Sequence, residues 1–177
     1  SVHSAAKMAR QHAVATKQPA YLVFHDEFTH PERAYRAYAV FSIDIHSPPV
    51  QLSDGYFIKD WEMLPVGVVF DPDINPSENL FKVSGAEGWE GGLNKNNLLR
   101  IEGTAAPFVV CGFKPSGEVA SATHQIHLAE GTVINGHPLI ALPGAGKQIH
   151  FTTLGKSKLL DTRYDDGGQL KILDEVP

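Results

Sequence analysis

The side chains of this 177-residue sequence that could do chemistry are histidines, carboxylates, one cysteine and two tryptophans. Their spacing decides what each could do. Among the nine histidines, His124 and His127 are the closest pair with no helix breaker between them. In a strand, residues three apart point to opposite faces, so this pair cannot chelate one ion without a bulge or bend. The pair reads as a surface histidine beside a half-buried one. His25, Asp26, Glu27, His30 and Glu32 gather ligand types around a hairpin tip, a composition that any solvated polar turn shares. Asp71, Asp73 and Asn75 carry the odd-position oxygens with which a calcium loop begins. The glycine demanded at the sixth position is Pro76 and the bidentate glutamate is Lys82, so the segment is not an EF-hand. It reads as an Asp-Pro-Asp turn leaving a strand.

Three further patterns also fall short of a reaction. Gly144-Ala145-Gly146-Lys147 resembles a phosphate loop, but Ala141 replaces the first glycine, Gln148 follows the lysine, and no helix comes next. It reads as a flexible connection. Cys111 lies between Val110 and Gly112 in an apolar strand, where burial raises a thiol's pKa and makes it inert. No serine occupies a Gly-x-Ser-x-Gly elbow, so a serine hydrolase has no local support. Trp61 and Trp89 could bind a sugar from loops, although packing is the commoner use of the indole. No cofactor, metal site or catalytic residue is expected.

These residues must be positioned by a chain of one domain's length, in which folding can bury roughly 70% of the extended surface. Fifteen Lys and Arg against twenty Asp and Glu leave a net charge of −5, with no basic excess for nucleic acid or an anionic membrane surface. The single cysteine excludes an internal disulfide. The longest mainly apolar stretch, Ala105 to Phe113, contains Pro107 and is far short of the roughly 20 residues a membrane helix needs.

One helix is expected, over residues 1–18. Val2, Ala5, Ala6, Ala9, Ala13 and Thr16 recur at spacings of three and four and put small side chains on one face. The helix starts at Ser1 with no evident cap, which suggests the cut end of a longer one. Pro19 then disfavours helical geometry at Gln18, and β-formers begin with Tyr21. Residues 20–28 and 33–46 are expected to pair as a hairpin around Thr29-His30-Pro31, the second strand half-buried because its odd positions are apolar. A short strand at Gly67 to Phe70 precedes a long surface loop over 74–96, rich in Gly, Pro and Asn.

The second half reads as turn-separated strands at 108–113, 125–129, 132–134, 139–142, 148–154 and 170–173. Lys114-Pro115-Ser116-Gly117 and Asn135-Gly136 supply turns. One helix followed by a run of strands implies an α+β fold with antiparallel sheet. The whole of 1–177 is one domain, with the helix at 1–18 and a β-rich head at 19–177.

Four landmarks in order resemble the minor pseudopilins, in particular the H-type pseudopilins of type II secretion and related minor type IV pilins. Ala9-Arg10-Gln11-His12-Ala13-Val14-Ala15 with Gln18-Pro19-Ala20-Tyr21-Leu22-Val23 resembles their helix-to-strand passage. Leu64-Pro65-Val66-Gly67-Val68-Val69-Phe70 is similar to their "LP-x-GV" strand entry, Phe113-Lys114-Pro115-Ser116-Gly117 to an "F-x-P-x-G" turn, and Gly155-Lys156 to a closing Gly-Arg turn. The resemblance implies a pilin-like fold and a non-enzymatic, structural subunit of a secretion pseudopilus or pilus-like fibre.

It implies more about processing and place. In that family the mature chain begins with a hydrophobic helix that carries an early glutamate, is preceded by a glycine where a prepilin peptidase cuts, and is methylated; neither that glycine nor that glutamate falls within these residues. The resemblance also implies a periplasmic domain anchored in the inner membrane of a Gram-negative-type bacterium. Its partners would be other pseudopilin or pilin subunits, with no nucleic acid and no small-molecule substrate. Val2, Ala5, Ala6, Ala9 and Ala13 would be the assembly face of the helix. The alternative, from the residues alone, is a β-rich glycan- or ligand-binding module that uses loop tryptophans. A hydrolase with carboxylates converging from distant strands has no local motif behind it.

Overall fold

A computed structural model of the chain describes residues 1–43, 55–83, 99–101, 104–106, 108–120 and 125–176. Helix α1 spans Val2–Thr16. Contrary to the expectation of an uncapped start, Ser1 caps it, its side chain accepting from the Ser4 amide at 3.3 Å. Lys17 closes the helix in the left-handed region at φ 59°, two residues before Pro19. The stripe Val2, Ala5, Ala6, Ala9 and Ala13 is wholly buried against the sheets beneath. Methyl-sized side chains let the helix backbone lie close to them.

Sheet A has four antiparallel strands in the order β3-β2-β1-β7. These are β1 (Ala20–Phe24), β2 (Ala37–Ile43), β3 (Gly55–Met63) and β7 (Val109–Phe113). β1 pairs with β2 as expected, Leu22 opposite Val40, but the connection is the whole of 25–36 rather than a three-residue turn. Asp26 organises that connection, its carboxylate accepting from the amides of Phe28 and Thr29.

The alternation in β2 misleads about burial, for all seven of its residues are buried. Tyr38 and Val40 join the main core with Leu22, Phe24, Cys111 and the helix stripe. Phe41 and Ile43 join a second cluster on the other face with Tyr21, Val23, Phe108 and Val110, against which Phe57 and Trp61 pack. Ser42 survives inside because its hydroxyl donates to the Pro19 carbonyl at 2.9 Å.

The remaining elements build a second sheet and a small hairpin. Sheet B runs β12-β11-β10-β8-β4, with β9 also on β8. Its members are β4 (Val68–Phe70), β8 (Gln125–Ile134), β9 (His137–Ile140), β10 (Gly146–Phe151), β11 (Ser157–Tyr164) and β12 (Leu170–Val176). β5 (Leu99–Ile101) and β6 (Thr104–Ala106) pair with each other.

Several expected bounds are corrected. Residues 125–134 form one strand rather than two, because Gly131 lets β9 and Val69 come closer than a side chain would allow. Strands β3 and β11 carry charged residues among their apolar ones and were not foreseen. The Asn135-Gly136 turn does join β8 to β9. Gly146 and Lys147 belong to β10 rather than to a flexible connection.

The described part of the expected surface loop, 74–83, is only partly on the surface, with 75–78 exposed. It carries helix α2 (Leu80–Val83) and buries Ile74, Asn79 and Leu80. Residues 84–96, with Trp89, lie outside the described residues, as does His124.

Candidate functional site

Among the described residues, three side-chain hydrogen bonds fasten helix α1 to the head. At its start, His3 Nδ1 and the Ser157 hydroxyl of β11 share a hydrogen bond of 3.2 Å. On the opposite flank, His12 Nε2 meets the Tyr56 hydroxyl of β3 at 2.9 Å. Between them, Arg10 donates its Nε–H to the carbonyl of Gly117 at 3.0 Å. A charged donor on a half-buried carbonyl is a strong contact of its kind.

Gly117 closes the turn after β7, its amide donating to Lys114 at 2.8 Å with φ at 87°. The turn from β10 to β11 arrives at the same place. Gly155, at φ 75°, lies so close that a Cβ on it would stand 1.8 Å from the Gly117 oxygen and 3.0 Å from Arg10 Nε. A Cβ on Gly117 would in turn strike Val14 at 2.8 Å. Behind the turns, Val119 donates to Thr153 at 3.2 Å, and Phe113 and Phe151 meet edge to face. Three of the four sequence landmarks, 107 and more residues apart in places, therefore converge on one junction.

The fourth landmark stays apart from it. Leu64 donates its amide to Arg36 at 2.7 Å, and Gly67, at φ 85°, accepts from Gly131 at 2.9 Å. This entry threads β4 onto β8 and leaves Val66 almost fully exposed.

The expected assembly face is turned inward. Val2, Ala5, Ala6, Ala9 and Ala13 hold α1 to its own head. The outward ridge consists of Ser4, Lys7, Met8, Gln11 and Ala15, all exposed.

The chemistry-bearing groups elsewhere are largely committed to packing. Trp61 lies on strand β3, not a loop, with its ring stacked on His25 at 3.9 Å between centroids and against Phe108 at 6.2 Å. This corrects the loop-tryptophan reading for the one indole described. His25 Nδ1 meets Thr29 Oγ1 at 3.0 Å, while His25 Nε2, His30 Nδ1 and Trp61 Nε1 are buried without hydrogen-bond partners. Burial, with His30 and the Arg33 guanidinium nearby, pushes the His25 imidazole down to about 4.

Asp71 receives the Asp73 amide at 3.0 Å, and Asp73 is ion-paired with Lys82 at 3.0 Å. Burial raises the Asp71 carboxyl. His127 is buried, not at the surface or half-exposed. Cys111 is fully buried, its thiol pushed up to about 12 by desolvation. Among the described residues, no three His, Cys, Asp or Glu side chains gather as metal ligands would. No described helix is long and apolar enough to cross a membrane.

Sequence reasoning did not mark Arg10, whose partner is remote. The turn glycines at 117 and 155 were visible as punctuation; that they touch was not.

No protein-family description matches the chain, and no curated protein matches it. Among solved structures, the chain is similar to the minor pseudopilin EpsH from the Type 2 Secretion System of Vibrio cholerae. The TM-score is 0.39 at 13% identity, over 99% of this chain and 92% of that one. At so loose a likeness, the functional reading rests on the chain's own residues.

Proposed function

We propose that the chain is the head of a minor pseudopilin-like subunit, which works by being assembled into a fibre rather than by catalysis. The observation that carries this reading is the junction at Arg10, Gly117 and Gly155, where the helix-end, hairpin-turn and closing-turn landmarks meet. A fibre subunit must make its head follow its helix. Here a stripe of small residues seats the helix, and a charged hydrogen bond pins it to the turn after β7, against which the β10–β11 turn packs at Gly155, so that load on one reaches the other.

In this reading Val2, Ala5, Ala6, Ala9 and Ala13 serve assembly indirectly, by holding α1 in place. The ridge of Ser4, Lys7, Met8, Gln11 and Ala15 faces neighbouring pseudopilin or pilin helices. The head is displayed on the periplasmic side of an inner membrane in which a preceding hydrophobic helix is anchored.

Two measurements test this. The coding sequence before Ser1 is expected to encode a hydrophobic segment of about 20 residues; without it the reading fails. Cysteines placed at Lys7 and Gln11 in cells of the source are expected to cross-link to other fibre subunits, and cysteines at Ala9 and Ala13 are not. Equal cross-linking from both pairs, or none from the ridge, would also overturn it.

A further inference from the structure

The outer face of sheet B carries buried polar side chains: Gln125 and His127 on β8, Gln148 on β10 and Thr162 on β11. The register sets His127 opposite Gln148, with Ala129, Gly146 and Thr162 in the next rank. Segment 71–79 lies over this strip. It is held by the Asp71 amide donating to the His127 carbonyl at 2.9 Å and by Asn79 Nδ2 donating to the Asp71 and Ile74 carbonyls at 2.8 and 2.9 Å. Asn75 and Glu78 bond the Gln125 side chain. The turn before β10 completes the cover, its Gly144 carbonyl accepting from Thr162 Oγ1 at 3.2 Å. Between segment, turn and sheet runs a crevice lined by Asp71, Ile74, His127, Gly144 and Thr162, with no room for a water molecule. His127 is 3% exposed, and its Nε2 has no hydrogen-bond partner.

We propose that His127 and segment 71–79 form an acid-operated latch, seated on sheet B while the imidazole is neutral and lifted from it when the imidazole takes a proton. A buried imidazolium needs an acceptor or solvent; the crevice has no room for water, and the Asp71 carboxylate that lines it already accepts the Asp73 amide. Gln148 faces it from β10, Leu160 and Thr162 from β11, Gly144 and Ala145 from the turn, none of them charged. The segment contributes Asp71, whose carboxylate already receives the Asp73 amide; Asp73 pairs with Lys82, and Glu78 is taken by Gln125.

The direction follows from proton linkage. Burial holds the closed-state imidazole down to about 4 from its ordinary 6.5, so the open state binds more protons. Seating is intact above about 6.5 and is lost as the pH falls toward 4. Asp71 acts oppositely, since its raised carboxyl favours the closed state once neutral, and this limits opening at the acid end. Lifting 71–79 exposes a polar strip while Leu80 and Phe81 keep their places in the main core. The proposal is independent of the assembly reading.

Hydrogen exchange of the intact chain at pH 7.5 and 5.0, corrected for intrinsic exchange rates, tests the latch. Amides of 71–79 are expected to open well below the free energy of global unfolding and to lose protection on the order of 30-fold, while those of β1 and β2, which exchange only through global opening, stay better protected at both pH values. His127→Gln is expected to abolish the step, and His25→Gln to retain it. Unchanged protection over 71–79, an equal loss in His127→Gln, or protection over 71–79 no lower than that of β1 and β2 would overturn the proposal. Should His127→Gln fail to fold, NMR titration of the wild-type imidazole decides. A midpoint near 4 that tracks the opening supports the latch, and one at the ordinary value overturns it.

Discussion

Arg10 on the helix donates to the carbonyl of Gly117, 107 residues further on, at 3.0 Å. The contact joins α1 to the turn that follows sheet A's edge strand, and through Gly155 to the turn between β10 and β11. Arg10→Ala removes a charged donor from a half-buried carbonyl and is expected to cost about 1.5–3 kcal/mol. Arg10→Lys should recover only part, because an ammonium cannot reproduce the fixed geometry of the guanidinium Nε–H. Urea denaturation of the three forms checks this; an unshifted midpoint for Arg10→Ala would show that the bond contributes nothing.

Gly155 and Gly168 have the same φ of 75°, but a Cβ on Gly168 meets open space. The pair separates backbone strain from collision. Gly168→Ala is expected to cost about 1–2 kcal/mol from the left-handed conformation alone. At Gly155 the new methyl must also displace the Gly117 carbonyl, so Gly155→Ala should cost several kcal/mol and lower Tm well beyond the control. At this chain length each kcal/mol is worth about 2–4 °C.

Ala9 and Ala13 are fully buried where the helix meets the sheets, whereas Ala15 is on the open ridge. Ala9→Leu or Ala13→Leu must lever the helix away and is expected to destabilise by about 1–3 kcal/mol or more. Ala15→Leu should stay within about 0.5 kcal/mol of the parent. Thermal unfolding of the three variants provides the comparison.

His25 is 4% exposed, lies against Trp61 and is held down to about 4 by burial, with His30 and the Arg33 guanidinium nearby. The unfolded chain therefore binds a proton that the folded chain refuses. Stability contributed by the neutral imidazole is complete above about 6.5 and lost as the pH falls toward 4; between pH 7 and 5 the loss is about 2 kcal/mol. His25→Phe keeps the stack and should flatten this part of the pH dependence. Urea midpoints at the two pH values would show whether it does.

Cys111 is expected to resist a thiol reagent at neutral pH until the chain unfolds, since burial both shields the sulfur and keeps it protonated. Labelling that proceeds at the same rate with and without denaturant would contradict the packing described.

Short-range patterns carried much of the fold. Alanine spacing placed the helix and its inward face, Pro19 placed its end, Asn135-Gly136 placed a hairpin, and an apolar neighbourhood placed Cys111 in the core. Each depends on residues within a turn or two of one another, where backbone geometry alone sets which side chains share a face. Landmark order along the chain was equally legible, though not that Gly117 and Gly155 touch. What covers a face is a different matter. Period two in β2 marked the odd face, where Phe41 and Ile43 pack with Trp61 and Phe108, but the even face is buried too, because Tyr38 and Val40 lie in the main core beneath the helix. His127 sits in a sequence that reads as surface, but segment 71–79, 48 to 56 residues earlier, lies over it. Local spacing and punctuation carry the helix and several strands, though not β3, β11 or α2, whose patterns are mixed or too short. Only the tertiary structure decided which polar groups lost their water and which remote carbonyl Arg10 would find, because burial and hydrogen-bond partners are set by segments with no local signal of their meeting.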